Sequence, residues 1–294
     1  MSDKKYLVIG ASGLLGLRLA GMIARDPHNE VVGSWRSFKL TVDEFRTVRL
    51  DLAGPEVGNL VREFKPDIVY HLASETSVDI CEKYPERVYK PVETGLFALI
   101  DACNQVGGKL IFISSDGIFG RSEGKNYEDT LPSPVNVYGR SKMLAEGVIR
   151  SLSKSWIIVR CCPVGHHPLR RKGLIGWLEQ QIRENRPVTG WTDCRFSPLT
   201  VGTLAEKLMR IQSVDNRIVH LYSAPGITKY DFLCRLVKIF GASPETVRPG
   251  KMGDARLKVP RPRSQVLSSK VNLGIETAVP IEREFEKIRL VMYR

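Results

Sequence analysis

Two separated stretches carry side chains that can together give a proton to a bound carbonyl group. Ser115 and Asp116 close an apolar run, and Tyr138 and Lys142 follow further along the chain. If residues 135–151 are helical, Tyr138 and Lys142 stand at positions i and i+4, on one helix face about one turn apart. A phenol has an ordinary pKa near 10, and a neighbouring ammonium lowers that pKa by favouring the phenolate. With the Ser115 hydroxyl holding the carbonyl oxygen, the set predicts a general acid site, although the same spacing is also typical of an ordinary helix surface.

The start of the chain favours the interpretation as a general acid site. It is predicted to form a strand, a glycine-rich turn and a helix. Residues 6–10 form a compact apolar run, and residues 17–25 have the spacing of a helix. Glycines in the turn between them allow close approach to a pyrophosphate, while free amides at the helix start face the anion. We therefore predict a dinucleotide site formed by Gly10, Ser12, Gly13, Leu14, Leu15 and Gly16.

The end of the second predicted strand indicates which dinucleotide binds. Residues 30–35 should end near the adenosine ribose, and Arg36 follows them. An acidic residue there would accept a hydrogen bond from the 2′-hydroxyl of NAD, whereas an arginine accommodates a 2′-phosphate. NADP(H) is therefore the predicted cofactor, with NAD(H) as the alternative. Further cofactor contacts are predicted from Asp51, Leu52, Ala73, Ser74 and Pro163.

The remaining elements alternate in the order expected of an α/β protein. Strands are predicted at 48–52, 67–74, 109–113 and 156–160, and helices at 53–64 and 85–105. Later segments are predicted as helices at 174–185, 201–211 and 229–240, a strand at 218–222 and an irregular basic loop at 248–272. We predict a Rossmann-type doubly wound parallel sheet in residues 1–160 that carries the Ser, Tyr and Lys set. Residues 161–294 are predicted to form a smaller C-terminal α/β substrate-binding subdomain, partly interleaved with the first.

Charge and composition exclude several other classes of protein. The 44 Lys and Arg against 32 Asp and Glu give a net charge of +12, spread along the chain without a zinc-finger or RNA-binding signature. We expect no nucleic-acid partner, because a phosphate-bearing small molecule explains the charge. The absence of a signal peptide and of a long apolar run predicts a cytoplasmic protein with no membrane partner. The six cysteines include no Cys-x-x-Cys pair, so we predict reduced thiols and no metal site.

Taken in order, these motifs resemble those of the extended short-chain dehydrogenase/reductase family over essentially the whole chain. They are GASGLLG at 10–16, DL at 51–52, HLAS at 71–74, SSDGIFG at 114–120 and YGRSK at 138–142. The resemblance implies that Tyr138 is the general acid and that Lys142 tunes it and binds the nicotinamide ribose. It further implies that Ser115 hydrogen-bonds the substrate carbonyl, and it leaves Asp116 as either the orienter of a sugar hydroxyl or a turn carboxylate.

Within that family the chain is most similar to the dTDP-4-dehydrorhamnose reductase group. The similarity lies in residues 115–120, in FSPLT at 196–200 and in RPRSQVL at 261–267. It implies reduction of a nucleotide-linked 4-keto-6-deoxysugar, with Arg195 and Arg261 as the basic candidates for the substrate pocket. Two alternatives stay open: a sugar-nucleotide epimerase or dehydratase, and a non-catalytic NADP-binding regulatory subunit similar to the β subunit of methionine adenosyltransferase. A homodimer is also left open.

Overall fold

The computed structural model describes residues 3–120, 124–167 and 173–292. Its strands are β1 (Lys4–Ile9), β2 (Asn29–Trp35), β3 (Arg46–Arg49), β4 (Ile68–His71), β5 (Lys109–Ile113), β6 (Trp156–Arg160), β7 (Cys162–Val164), β8 (Val188–Trp191), β9 (Arg195–Phe196), β10 (Pro198–Thr200), β11 (Arg217–His220), β12 (Tyr222–Ala224), β13 (Ile227–Thr228), β14 (Val247–Gly250), β15 (Ser264–Gln265) and β16 (Ala278–Pro280). Its α-helices are α1 (Leu14–Ile23), α2 (Glu56–Phe64), α3 (Val78–Lys83), α4 (Glu86–Lys90), α5 (Phe97–Val106), α6 (Val137–Leu152), α7 (Gly173–Arg183), α8 (Val201–Arg210), α9 (Lys229–Ile239) and α10 (Ile281–Met292).

Seven strands form one parallel sheet in the order β11-β6-β5-β4-β1-β2-β3. This is the predicted doubly wound α/β arrangement, and it places the carboxyl ends of all seven strands at one edge, where ligands bind in such sheets. The predicted bounds of β5 and β6 match the structure. The seventh strand, β11, comes from the second half of the chain and pairs with β6, so this half contributes directly to the central sheet.

Helices cover both faces of the sheet because successive side chains of a buried parallel strand point to opposite sides. In β1, Tyr6 and Val8 pack with α1 and α8, whereas Leu7 and Ile9 pack with α2, α5 and α6. Of the helices in the described part of the chain, none combines the length and the apolar composition that crossing a membrane requires.

The later segments build a smaller layer beyond the carboxyl edge of the sheet, which we call the cap. Its apolar core joins residues of α7, α9 and α10 with Phe196 of β9 and Val247 of β14. Within the predicted irregular loop at 248–272, the structure instead has most of β14, paired with β8, and β15, paired with β9. The loop prediction was wrong at these points because their pairing partners lie far away in the chain.

The predicted continuous helix at 85–105 is also interrupted. The structure has α4, then a π-helical turn at Pro91–Leu96, then α5. Proline lacks the amide that a continuous helix requires, and π-helical turns are short interruptions of this kind. In the same turn Gly95 lies directly against the carbonyl oxygen of Leu52, where a side chain would collide.

Candidate active site

The serine, tyrosine and lysine meet where β5 ends and α6 begins. Ser115 caps a 3-10 turn at Asp116–Ile118, and its Oγ accepts a hydrogen bond from the Gly117 amide at 3.0 Å. Helix α6 starts against that turn because position 139 is glycine: a Cβ there would lie 2.6 Å from the Gly117 oxygen. This close contact brings the Tyr138 ring alongside the serine.

Tyr138 is half-buried as a residue, but its phenol group points into the protein. Burial raises the pKa of the phenol above its ordinary value of 10, and the hydrogen bond between the phenol and Ser115 opposes that rise. The pKa of this phenol is therefore raised and not lowered as expected, because burial is the largest influence on it. In this state Tyr138 is a protonated hydrogen-bond donor, as a general acid must be before it acts.

Lys142 is buried one turn further along α6, as its spacing predicts. Its Nζ donates to the Ile113 carbonyl oxygen at 2.9 Å and lies 4.7 Å from the centre of the Phe112 ring. Burial lowers the pKa of Lys142 to about 8, against the nearby Cys161, Glu146 and Cys81, which raise it. The ammonium is therefore fixed at the carboxyl end of β5 and titrates close to neutral pH.

Asp116 is buried beside the serine. Its Oδ1 accepts a hydrogen bond from Ser115 Oγ at 3.2 Å, whereas Oδ2 has no partner of normal geometry among the described residues. Burial raises the pKa of Asp116 to about 6, opposed first by the Lys229 ammonium and then by Ser115 and the weakly donating Cys162 thiol. A buried carboxyl with a free oxygen at a strand end has an environment typical of a functional group.

The adjacent serine, Ser114, points to a separate buried cluster. Its Oγ donates to Glu146 Oε1 at 2.5 Å, and Arg160 Nε and Nη2 donate to the two oxygens of Glu146 at 3.0 and 2.8 Å. Arg160 also donates to the Glu128 carbonyl oxygen at 3.1 Å, and its Nη1 lies 3.5 Å from His220. This cluster was not predicted, and it ties α6 and β6 to the loop before α6 and to β11.

The glycine turn has the geometry of an anion cradle. Gly10 has a φ of +91°, and the Gly13 amide donates to its oxygen at 2.9 Å. A Cβ on Gly16 would collide with the same oxygen, so glycine is required for α1 to pack this close. The cap of α1 is Gly13, with no side-chain cap and no acidic residue in the first turn. The amides of the first turn are thus open to a phosphate group.

The other predicted cofactor residues lie along the same edge of the sheet. Arg36 directly follows β2 and is exposed, with no hydrogen bond or ion pair to the described residues. Asp51 Oδ1 accepts from the Ala53 amide at 3.0 Å, and Ala73 packs directly against Gly10. The remaining members of the predicted set are the partly buried Ser12 and Leu14, the buried Leu15 and Leu52, and the exposed Ser74 and Pro163.

The two predicted substrate arginines occupy different places. Arg261 Nη2 makes an ion pair of 2.6 Å with Asp79 of α3, and its Nη1 is buried without a partner among the described residues. Arg195 Nη2 donates to the Gly226 carbonyl oxygen at 2.6 Å and lines a cap cavity of about 330 Å³. The lining of that cavity includes none of the serine, tyrosine and lysine set, so a role for Arg195 in substrate binding stays a prediction.

Lys229 is the charged residue near this site that sequence reasoning missed. It is the first residue of α9 in the cap. Its ammonium opposes the rise that burial causes in the pKa of Asp116, Cys162 and Cys194. A lysine at the start of an amphipathic helix carries no local signal of function, and only the packing of the cap brings its Nζ to 3.4 Å from the centre of the buried Phe196 ring. Among the described residues, no group of three or more His, Cys, Asp and Glu side chains is placed to hold a metal ion.

Known proteins of one family match this chain along almost its full length. The family model described as RmlD substrate binding domain matches residues 4–284. The dTDP-4-dehydrorhamnose reductase of Mycolicibacterium smegmatis is 28% identical over 90% of this chain and 78% of its own. Methionine adenosyltransferase 2 subunit beta of Xenopus laevis is 26% identical over 84% and 75%, respectively. The crystal structure of Bacillus anthracis dTDP-4-dehydrorhamnose reductase, in complex with NADP, shares the fold with a TM-score of 0.82 and 22% identity, covering 99% of this chain and all of that one.

Proposed function

This chain belongs to the RmlD substrate-binding domain family, and we propose that it is an NADPH-dependent reductase of a nucleotide-linked 4-keto-6-deoxysugar. The observation that carries the proposal is the meeting of Ser115, Tyr138 and Lys142 at the same sheet edge as the open glycine turn. A dinucleotide whose pyrophosphate lies on α1 would reach along this edge toward the end of β5. The named reductases of the family support the choice of substrate.

The proposed cofactor site uses three features of the first three strands. The amides at the start of α1 bind the pyrophosphate, because they lack partners from a cap. Arg36 binds the 2′-phosphate that distinguishes NADPH from NADH. Asp51 and Leu52 line the adenine, and Ala73, Ser74 and Pro163 line the passage to the nicotinamide. When bound, NADPH supplies the hydride.

The proposed chemistry of the protein is orientation and proton transfer. The Ser115 hydroxyl donates to the ketone oxygen, and the Tyr138 phenol gives that oxygen its proton as the ketone becomes an alcohol. Lys142 follows Tyr138 by one turn of α6, and its positive charge favours the phenolate that results. In the proposed division of labour, residues 1–160 hold the cofactor and these three side chains, while the cap and Arg261 hold the substrate.

The test is the oxidation of NADPH in the presence of dTDP-4-dehydrorhamnose. It is measured as the loss of absorbance of the reduced nicotinamide. We expect turnover that requires both compounds, with NADPH preferred to NADH. An epimerase or a dehydratase that recycles its cofactor would convert a sugar nucleotide without net loss of NADPH. Tight NADPH binding without turnover across a panel of 4-keto sugar nucleotides would overturn the proposal.

A regulatory subunit is the second candidate, and the match to methionine adenosyltransferase 2 subunit beta favours it. The raised pKa of Tyr138 fits it equally well, because a phenol that stays protonated also serves as a packing residue. A Tyr138→Phe variant that retains every measurable property of the protein, together with co-purification of a larger enzyme, would support this candidate. A homodimer and a cytoplasmic location remain predictions.

A further inference from the structure

A pair of histidines that the proposed chemistry does not use, His166 and His167, follows β7 on the way to the cap. Their rings have different partners. His166 Nε2 lies 3.1 Å from the Glu179 carboxylate of α7, whereas His167 Nε2 lies 3.1 Å from the carbonyl oxygen of Ser12 in the glycine turn. His167 is also the buried one of the pair, with 4% of its surface exposed. A residue from the second half of the chain therefore contacts the proposed dinucleotide site.

The contact between His167 and Ser12 holds one particular peptide unit. A backbone carbonyl oxygen can only accept a hydrogen bond, so the ring must donate through Nε2. The Ser12 carbonyl and the Gly13 amide belong to the same planar peptide unit, in which they point in opposite directions. The Gly13 amide donates to the Gly10 oxygen at 2.9 Å. This peptide is therefore held on both sides, by the turn itself on one and by His167 on the other.

The glycine turn needs contacts from outside because its own residues constrain it little. Glycine occupies more backbone conformations than other residues do, and Gly10 lies at a φ of +91°. The sheet supplies one contact, since the Gly10 amide donates to Ser34 Oγ of β2 at 3.0 Å. His167 supplies another, from the chain that leads into the cap.

The packing of Leu14, the first residue of α1, connects the same two parts of the protein. A Cβ added to Gly165 would lie 3.6 Å from Leu14 Cδ1, and one added to Gly173 would lie 3.9 Å from Leu14 Cδ2. Both are ordinary van der Waals distances, so the backbone on either side of the histidine pair is close to this side chain. The start of α1 thus meets the second half of the chain at a backbone carbonyl and at a side chain.

The first amides of α1 point in a direction that the Ser12–Gly13 peptide sets, because Gly13 is the cap from which the helix begins. We propose that His167 is a positioning residue for the cofactor, which holds this peptide so that those amides face the pyrophosphate. The inference rests on the proposed function for the identity of the ligand. Since both dinucleotides contain the pyrophosphate, His167 should raise the affinity for NADPH and for NADH by the same factor, whereas Arg36 should favour NADPH.

The first experiment measures the binding of each dinucleotide by calorimetry, without substrate, to the wild type and three variants. His167→Phe keeps a ring and removes the donor, so it should weaken NADPH and NADH binding about 5- to 10-fold each, the effect of one lost hydrogen bond. His167→Gln keeps an N–H donor on a side chain of similar reach and should bind both nearly as the wild type does. His166→Phe is the matched control, because that ring faces α7, and it should leave both affinities unchanged.

Adenosine 2′-monophosphate separates positioning of the turn from a general loss of structure. It has the 2′-phosphate but no pyrophosphate, so the wild type and His167→Phe should bind it equally. If this compound and NADPH are weakened by the same factor, His167 supports the whole site and the proposal is overturned. Unchanged NADPH binding in His167→Phe, or a loss in His167→Gln as large as in His167→Phe, overturns it as well.

Two NMR measurements test the geometry without any ligand. Nitrogen-15 spectra should show that the neutral His167 ring carries its proton on Nε2. Hydrogen exchange of the Gly13 amide should be about 10-fold faster in His167→Phe than in the wild type, since the peptide has lost the contact at its other end. A bare Nε2 or an unchanged exchange rate would contradict the inference.

Failure of the proposed function would give a different result. If the wild type binds NADPH but reduces no ketone, and the variants bind as expected, the proposed reductase fails and the role of His167 stands. If the wild type reduces the sugar nucleotide but His167→Phe binds NADPH just as well, this inference alone fails. A wild type that binds neither dinucleotide overturns both.

Discussion

Two adjacent serines at the end of β5 lead into buried clusters of opposite character. Ser114 joins the Glu146 carboxylate, which accepts hydrogen bonds from the serine and from two nitrogens of Arg160. Ser115 joins Asp116, whose Oδ1 accepts a hydrogen bond from the serine and whose Oδ2 has no partner of normal geometry among the described residues. Both carboxyls are almost completely inaccessible, at 3% exposed each.

This difference in hydrogen-bond partners distinguishes a structural carboxylate, Glu146, from a carboxyl that is placed to bind a ligand, Asp116. A buried charge with all its partners stabilises the arrangement that contains it, whereas one without partners destabilises the fold until a ligand arrives. The Glu146 cluster should therefore govern stability, and the Ser115 cluster should govern activity. Four substitutions test this division, from the largest expected effect to the smallest.

Tyr138→Phe should break the activity and leave the fold intact. Loss of the proton donor should lower kcat about 10²- to 10⁴-fold, while the free energy of unfolding should change by no more than about 1 kcal/mol. Steady-state kinetics and urea unfolding measure the two effects, and NADPH binding serves as the control. A variant that keeps more than a tenth of the wild-type kcat would place the proton donor elsewhere.

Arg160→Met should lower the stability of the fold and not act on the proton donor. It strands the Glu146 carboxylate in the interior, so the free energy of unfolding should fall by about 3–5 kcal/mol. The matched control is the double variant Arg160→Met with Glu146→Leu, which removes both charges and should recover most of the loss. If the single variant unfolds at the same urea concentration as the wild type, Glu146 is not the structural carboxylate described here.

Asp116→Asn should stabilise the protein at neutral pH while weakening substrate binding. The folded pKa of Asp116, about 6, is raised from an ordinary 3.8. Between these values the folded state holds a proton that the unfolded state has lost, so the contribution of Asp116 to stability falls as pH rises from about 4 to 6. Above pH 6 the full cost is about 3 kcal/mol.

Unfolding of wild type and Asp116→Asn should accordingly be compared at pH 8 and near pH 4. We expect the variant to be the more stable by about 2–3 kcal/mol at pH 8, with the difference disappearing at the lower pH. If the stability of the variant relative to the wild type instead falls as pH rises, Asp116 has partners in the folded protein and is a structural carboxylate like Glu146.

Arg36→Ala extends the same reasoning to an exposed side chain that has no hydrogen bond or ion pair to the described residues. Loss of one charged contact to the 2′-phosphate should weaken NADPH binding about 10-fold and leave NADH binding unchanged. Arg46→Ala, at the amino end of the neighbouring strand β3, is the matched control. Equal weakening for both cofactors would indicate that Arg36 does not read the 2′-phosphate.

Much of the fold follows from local sequence patterns. The strands at 109–113 and 156–160 were predicted with the bounds that the structure has, because a short run that is apolar at nearly every position reports burial on both faces of a sheet. Helix α9 begins at Lys229 as predicted, because Thr228 caps it and a cap acts on residues within one turn. Short strands such as β14 escaped prediction because distant segments supply their partners.

The site divides in the same way. The amino-acid sequence by itself determined that Tyr138 and Lys142 share a helix face, because they lie four positions apart in one helix whatever surrounds them. Tertiary structure alone decided the pKa of that phenol, since burial by the rest of the chain outweighs the expected help from the lysine. It alone also directed Lys229 toward Asp116 from the cap. No spacing rule links these two residues, so the effect of the lysine on the pKa of Asp116 exists only in the folded chain.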